Sequence, residues 1–387
     1  MTPTPSKIAV FTGTRADYGL LFGVIKAIQD AADLQLQLLV SGTHLSPEFG
    51  LTWQEIEQAG FHIDEKIDIL LSSDSPAGIA KSVGLGVLGF TDAFMRLQPD
   101  LLVLLGDRFE ALAAAQTAMF LQIPILHLHG GEITEGAYDD AIRHAITKMS
   151  NLHGVSTEEH RRRVIQLGED PARVVNVGAP GLDALTQETF LTPEQLAASL
   201  NFPLRQPWFL VTYHPVTLAD ESPEESIRTL ISALDEFPDH QVILTWPNAD
   251  NGGRHIISRL EAWAQRDRER ILAVPSLGQH RYLSAMKHAA AVIGNSSSGI
   301  IEAPAFQIPT VNLGERQRGR TAAKSVLHCA VNKQDIVNTI QYALDRAYLC
   351  DGETVVNPYG QGDASAKILA MIRTAPRGRQ KTFYDVK

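Results

Sequence analysis

Leu101-Leu102-Val103-Leu104-Leu105-Gly106-Asp107-Arg108 and Ala291-Val292-Ile293-Gly294-Asn295-Ser296 follow one pattern: an apolar run of strand length, a glycine, then polar side chains. The parallel continues downstream. In the first half a segment of helical period leads to Leu121-Gln122-Ile123-Pro124, a second apolar run and Gly130-Gly131-Glu132. In the second half the chain reaches Phe306-Gln307-Ile308-Pro309, an apolar run and Gly314-Glu315. Short apolar runs alternating with helical segments are the pattern of βαβ units and a parallel sheet. Two such sets predict an α/β protein made of two duplicated α/β domains.

The runs Ile8–Phe11, Leu36–Val40, Leu101–Leu105, Ile125–Leu128 and Val174–Val177 are the strands expected of the first set. Phe209–Thr212, Val242–Thr245, Ala291–Ile293 and Thr310–Asn312 are those of the second. Between them, residues 192–207 hold three prolines and read as a linker with a short helix. The 387 residues exceed what one core usually organises, which agrees with two domains. The helical segment Asp363–Arg373 comes last, and its periodicity assigns it to neither domain.

A hydrophobic share of 44% with 20% charged residues is that of an ordinary globular chain. The net charge of -10 argues against a nucleic-acid partner, since phosphate-backbone affinity needs clustered Lys and Arg. Neither a signal-type apolar start nor a run near the ~20 apolar residues of a membrane span is visible, so the cytoplasm is expected and no membrane partner. Cys329 and Cys350 alone make neither a disulfide framework nor a metal motif.

Ligands of parallel α/β sheets sit beyond the carboxyl ends of the strands, so the loops there are the candidates. Gly84, Gly86 and Gly89 spell the dinucleotide fingerprint, but the residues before them read as a helix, and helix packing explains the glycines better. The loop Gly13-Thr14-Arg15-Ala16-Asp17 opens a helix and offers backbone N–H groups and Arg15 to an anion. Gly294-Asn295-Ser296-Ser297-Ser298-Gly299 precedes the helical segment carrying Glu302; its small residues and hydroxyls suit a diphosphate better than simple capping, which needs one serine. His214 follows the first strand of the second set and can donate to phosphate. His127 and His129 alternate along a strand, which points both to one face, where donor or proton-transfer roles fit better than zinc. Asp107, Arg108, Glu132, Asp139, Asp140, Arg143 and His144 gather at the carboxyl ends of first-domain strands, more acids than ion pairing with Arg108 and Arg143 absorbs.

With these residues assembled, the chain resembles the hydrolysing UDP-N-acetylglucosamine 2-epimerases of bacterial sialic acid synthesis. The resemblance rests on Gly13–Gly19, Gly106–Arg108, His127–Glu132, Ile142–Met149, Ser156–Glu159, Asn176–Gly178, His214-Pro215, Gly294–Gly299 and Arg316–Arg320. Ala16-Asp17 stands where non-hydrolysing relatives carry Pro-Glu, and His129 where some members carry a glutamate. The resemblance implies two facing Rossmann-like domains of the GT-B type with the active site in the cleft between them. It assigns 1–185 with a returning 363–387 to the first domain and 186–362 to the second, and suggests a homodimer. It further implies that Arg15 and His214 meet the diphosphate, that Ser296 and Ser297 hold the terminal phosphate, that Glu302 holds the ribose and that Val274 faces uracil. Asp17, Arg108, Asn248 and Arg316 join that substrate-binding set. Asp107, Glu132, Asp139, Asp140, His129 and His144 would surround the sugar.

The expected reaction turns UDP-N-acetylglucosamine and water into N-acetylmannosamine and UDP. H2 of the sugar has no neighbouring carbonyl to acidify it, so departure of UDP must lead, giving oxocarbenium character at C1 and then a glycal. Two proton-transfer groups on opposite ring faces are needed: Asp107 for one, and Glu132, Asp139 or Asp140 for the other. No cofactor, metal or nicotinamide, is required. The alternatives are the same chemistry on UDP-2,4-diacetamido-2,4,6-trideoxyglucose, a GT-B glycosyltransferase, and a nucleotide-sugar sensor without turnover.

Overall fold

The computed structural model describes residues 5–71, 75–134, 138–187, 189–214, 223–246, 253–350, 353–375 and 380–386. The chain divides into two compact units, Met1–Ala184 with Tyr359–Lys387, and Leu185–Pro358.

In the first unit, strands β1 (Ser6–Thr12), β2 (Leu34–Ser41), β3 (Glu65–Ile67), β4 (Leu101–Leu105), β5 (Ile125–Leu128), β6 (Leu152–Val155) and β7 (Val174–Asn176) form one parallel sheet in the order β3-β2-β1-β4-β5-β6-β7. In the second, β8 (Trp208–Thr212), β9 (Gln241–Thr245), β10 (Ile271–Val274), β11 (Ala291–Gly294), β12 (Thr310–Leu313) and β13 (Val326–Cys329) lie parallel in the order β10-β9-β8-β11-β12-β13. Counted from its own first strand, the second sheet repeats the first without a counterpart of β7. The echoing strands β4 and β11 occupy the same place, beside the first strand of their set and opposite the second. That is the switch point of a doubly wound sheet, where the loops diverge and leave room for a ligand.

Both faces of each sheet are covered, which is why the strands read as unbroken apolar runs. On β1, Ile8 and Val10 meet Leu21, Val24, Ile25 and Ile28 of the helix Arg15–Asp30 in one core, while Ala9 and Phe11 join Phe90, Phe94 and Ala114 in the other. The second sheet repeats the plan: Phe209 and Val211 pack with Ile227 and Ile340, whereas Trp208 and Leu210 pack with Leu196 and Met286. Each such fully buried Leu, Ile or Val contributes roughly 1.5–3 kcal/mol of transfer free energy.

Four strands were not foreseen: β3, β6, β10 and β13. Each has only three or four residues. In β6 the pattern is also broken by Gly154, where a Cβ would lie 2.7 Å from Leu128 Cδ2. The fingerprint-like glycines lie inside the helix Pro76–Leu97, capped by Ser75. A Cβ on Gly86 would stand 2.8 Å from Ala113 Cβ and one on Gly89 2.5 Å from Ile67 Cγ2, so close packing accounts for both. It does not account for Gly84, which has open space around it.

The final helix, Ala364–Arg373, packs into the first core through Ile368, Met371 and Ile372. Asp183 accepts from its first backbone N–H groups, Ala364 at 2.9 Å and Ser365 at 2.6 Å, placing negative charge at a helix start. A Cβ on Gly23 would lie 2.7 Å from Ser365 Oγ, so the glycine lets the two helices approach.

Candidate active site

At the end of β1 in the first unit, Thr14 caps the helix Arg15–Asp30 by accepting from Asp17 N at 3.2 Å. Arg15 is exposed and 3.5 Å from the equally exposed Glu55, a pairing too weak to hold it back from an anionic ligand. Burial pushes the Asp17 carboxyl up to about 6, against the opposing pull of Arg108. Asp17 therefore holds its proton far longer than an ordinary aspartate.

After β4, Gly106 turns the chain at φ +79 and the next two side chains separate. Arg108 donates to Glu110 twice, Nε to Oε2 at 3.2 Å and Nη2 to Oε1 at 3.0 Å, and Glu110 is wholly buried. Asp107 forms an ion pair with Arg143. Arg143 is itself only 2% exposed and comes from the helix Tyr138–Met149. Its guanidinium also donates to Glu132 O at 3.0 Å and Thr134 Oγ1 at 2.8 Å, and stands 3.4 Å from Asp140. Asp140 meanwhile accepts from Thr134 N at 2.8 Å and faces His144 Nε2 at 3.4 Å. Burial raises the carboxyl of neighbouring Asp139. One arginine, read from the sequence only as an available counter-ion, thus gathers the loops that follow β4 and β5.

The expectation that His127 and His129 share a strand face does not hold, because β5 ends at Leu128 and His129 turns away at φ +63. His127 Nε2 donates to Gly106 O at 2.8 Å, and Nδ1 lies 3.1 Å from Thr147 Oγ1. Burial holds its ring down to about 3, so His127 is a neutral brace between loops. His129 Nδ1 instead meets Glu132 Oε1 at 2.9 Å.

In the second unit, Gly294 adopts φ +134, and a Cβ there would lie 1.9 Å from Thr212 O. Only glycine passes so close to β8. The wholly buried Asn295 then spans two loops: its Oδ1 accepts from His214 N at 2.7 Å and its Nδ2 donates to His214 O at 2.8 Å. Its own carbonyl accepts from Arg316 Nη1 at 2.9 Å and Gln317 Nε2 at 2.8 Å. Burial, assisted by Arg316, pulls His214 down to about 4, which makes it a neutral donor.

The helix after this loop is one turn, Ser298–Ile301, and Glu302 stands at its junction with the 3-10 turn Ala303–Phe306. That corrects the expectation of a helix carrying Glu302 and removes most of the helix-dipole argument. What the loop can offer an anion is hydroxyls and backbone N–H groups. Ser297 stands at the cap position without a side-chain cap bond, while Ser298 Oγ lies 2.7 Å from Tyr282 OH and 3.0 Å from Ser296 Oγ. Burial pushes Glu302 up to about 8, against Arg320, and its Oε2 has no hydrogen-bond partner among the described residues. A carboxyl held near its protonated form both donates to and accepts from hydroxyls. Val274 closes β10, Arg316 is exposed, and Asn248 lies outside the described residues.

Residues 26–373 match the profile of UDP-N-acetylglucosamine 2-epimerase. Over 329 residues the chain is 43% identical to the GDP/UDP-N,N'-diacetylbacillosamine 2-epimerase (hydrolyzing) of Campylobacter jejuni, covering 85% of each chain. Over 384 residues it is 35% identical to the polysialic acid biosynthesis protein P7 of Escherichia coli, covering 98% of this chain and 97% of that one. The solved UDP-GlcNAc 2-epimerase from Neisseria meningitidis, bound to UDP-GlcNAc, superposes with a TM-score of 0.81 at 17% identity, over 95% of this chain and 100% of that one.

Proposed function

The chain belongs to the UDP-N-acetylglucosamine 2-epimerase family, and from that membership we propose that it hydrolyses UDP-N-acetylglucosamine to UDP and N-acetylmannosamine. One observation carries the reading. The first unit combines a carboxylate held in an ion pair, Asp107 on Arg143, with carboxyls that burial keeps protonated longer, Asp17 and Asp139. Elimination followed by hydration needs both kinds, one to face developing positive charge or accept a proton and one to return a proton to C2.

In this reading the second unit holds the nucleotide. His214, Ser296 and Ser297 donate to the diphosphate, Glu302 meets the ribose hydroxyls and Val274 offers backbone groups to uracil. Arg15 supplies the exposed cation of the first unit. Donors on the departing diphosphate stabilise charge that grows as the C1–O bond breaks, which lowers the barrier. As that bond opens, C1 gains oxocarbenium character and H2 becomes acidic. In this reading Asp107 faces that positive charge, and Asp140, on the same arginine, and His144 extend the polar cluster.

A second reading is favoured by the 43% identity to the Campylobacter jejuni protein: the same chemistry on UDP-2,4-diacetamido-2,4,6-trideoxyglucose. Each nucleotide sugar is incubated alone with the protein while UDP release is followed. The first reading expects the higher kcat/KM with UDP-N-acetylglucosamine, the reverse order selects the second, and no UDP from either rejects both.

A further inference from the structure

Behind the acids lies a buried polar chain that the reaction as described leaves unused. Glu132 Oε1 is 2.9 Å from His129 Nδ1 and 3.0 Å from Ser156 Oγ, and Ser156 Oγ is 3.0 Å from His160 Nδ1. His129, Glu132, Ser156 and His160 are 8%, 5%, 0% and 3% exposed. Burial pulls His160 down to about 4 even with Glu132 near, so its ring is neutral and carries one proton.

The protons can be counted through this chain. An ionised carboxylate only accepts, so Glu132 Oε1 takes the hydroxyl proton of Ser156 and the Nδ1 proton of His129. Having given its only proton, Ser156 accepts from His160 Nδ1–H. In the neutral ring this leaves His129 Nε2 as a lone pair, and that atom is buried with no hydrogen-bond partner among the described residues. The backbone holds these groups together: His129 sits in the left-handed region, and a Cβ on Gly131 would lie 2.5 Å from His160 O, so the loop is packed against the helix Glu158–Gln166 that presents His160. An unsatisfied buried acceptor is costly unless a ligand uses it.

We propose that His129 is the base that removes H2 of the sugar, and that Ser156 and His160 are positioning residues that fix its tautomer through Glu132. The assignment rests on the hydrolysing-epimerase reading. The Nε2 lone pair takes H2 as a proton, the C2–H electron pair becomes the C1=C2 double bond, and the C1–O pair leaves with UDP. The imidazolium so formed faces the Glu132 carboxyl group. In the hydration step a water oxygen adds at C1 while Asp17 or Asp139 gives C2 a proton, and the imidazolium proton and the remaining water proton return to that acid and to solvent.

The test is 15N NMR of the histidine-labelled wild-type protein, with the His129 signals identified by their loss in His129→Gln. The expected result is a protonated Nδ1 and an unprotonated Nε2. An Nε2–H tautomer overturns the proposal. In kinetics, His129→Gln lowers kcat by about 10²–10⁴-fold, the usual range for a general base. Ser156→Ala lowers it by about tenfold at unchanged KM, with a larger isotope effect on C2-deuterated substrate. A His129→Gln enzyme that keeps kcat within about threefold overturns the proposal as well. Failure of wild-type enzyme to release UDP would defeat the underlying function, whereas turnover with the wrong tautomer defeats this assignment alone.

Discussion

Arg143 is the residue on which most of the first unit's site depends. Its guanidinium is buried and holds Asp107, Asp140, Thr134 and a backbone carbonyl at once. Arg143→Ala leaves the half-buried Asp107 and Asp140 carboxylates uncompensated and is expected to destabilise the protein by less than the ~3–5 kcal/mol of a fully buried pair, about 2–3 kcal/mol. Arg143→Lys keeps the charge but loses the planar fork, so a folded enzyme with kcat reduced about 10–100-fold is expected. Denaturant unfolding and steady-state rates check the two outcomes. The sequence revealed Arg143 only as a partner for local acids, because its main partner lies 36 residues away. His129 was misread for a related reason: alternation along β5 assumes that the strand continues, and it stops one residue short. Asn295 was read for its neighbourhood, whereas its side chain spends both polar atoms on the His214 backbone.

Among elements, the helix Tyr138–Met149 presents Asp139, Asp140, Arg143 and His144 from one end and is anchored at the other. There Lys381 Nζ donates to Lys148 O at 2.8 Å and Ser150 O at 2.7 Å, and pairs with Glu169 at 2.7 Å. Glu169 also meets Lys148 at 2.6 Å and His153 at 2.9 Å, and these donors hold its carboxyl down at about 2 although burial pushes the other way. Lys381→Ala is expected to destabilise by about 2 kcal/mol, less than loss of a wholly buried pair because the lysine is partly exposed. Hydrogen exchange should then speed up along this helix. Unchanged protection would show that the tail contact is incidental. None of this was legible in the sequence, since neither spacing nor motif links residue 381 to residue 169. What was legible is the echo of β4 in β11, which the two Gln residues sharpen: Gln122 and Gln307 hold matching places with φ of +58 and +60.

For the molecule as a whole, the two sheets share one strand order apart from β7, and their candidate site loops follow equivalent strands, β1 and β4 in one unit, β8 and β11 in the other. One scaffold thus carries acids in its first copy and neutral donors in its second. The same burial that shapes these loops sets the response to acid. His44, His127, His160 and His214 are held down to about 4, 3, 4 and 4. Below an unfolded value near 6.5 the unfolded chain binds protons that the native state refuses, so stability falls as pH drops from about 6.5 toward 4. Asp17 and Glu302, raised to about 6 and 8, act in the opposite sense, since they bind protons in the native state first. Burial also lowers His153, His240 and His328 and raises Asp139, so among the described residues the lowered histidines outnumber the raised acids, giving net acid destabilisation visible as a falling unfolding midpoint below pH 6.5; a midpoint that rises there would contradict the assignment of neutral buried histidines. The account's central claim, elimination and rehydration at C2, is tested most directly by incubating the protein with UDP-N-acetylglucosamine in D2O and following the products by NMR. The account predicts free UDP and free N-acetylmannosamine carrying deuterium at C2. A UDP-linked epimer, or a released sugar that keeps its C2 proton and configuration, would contradict it.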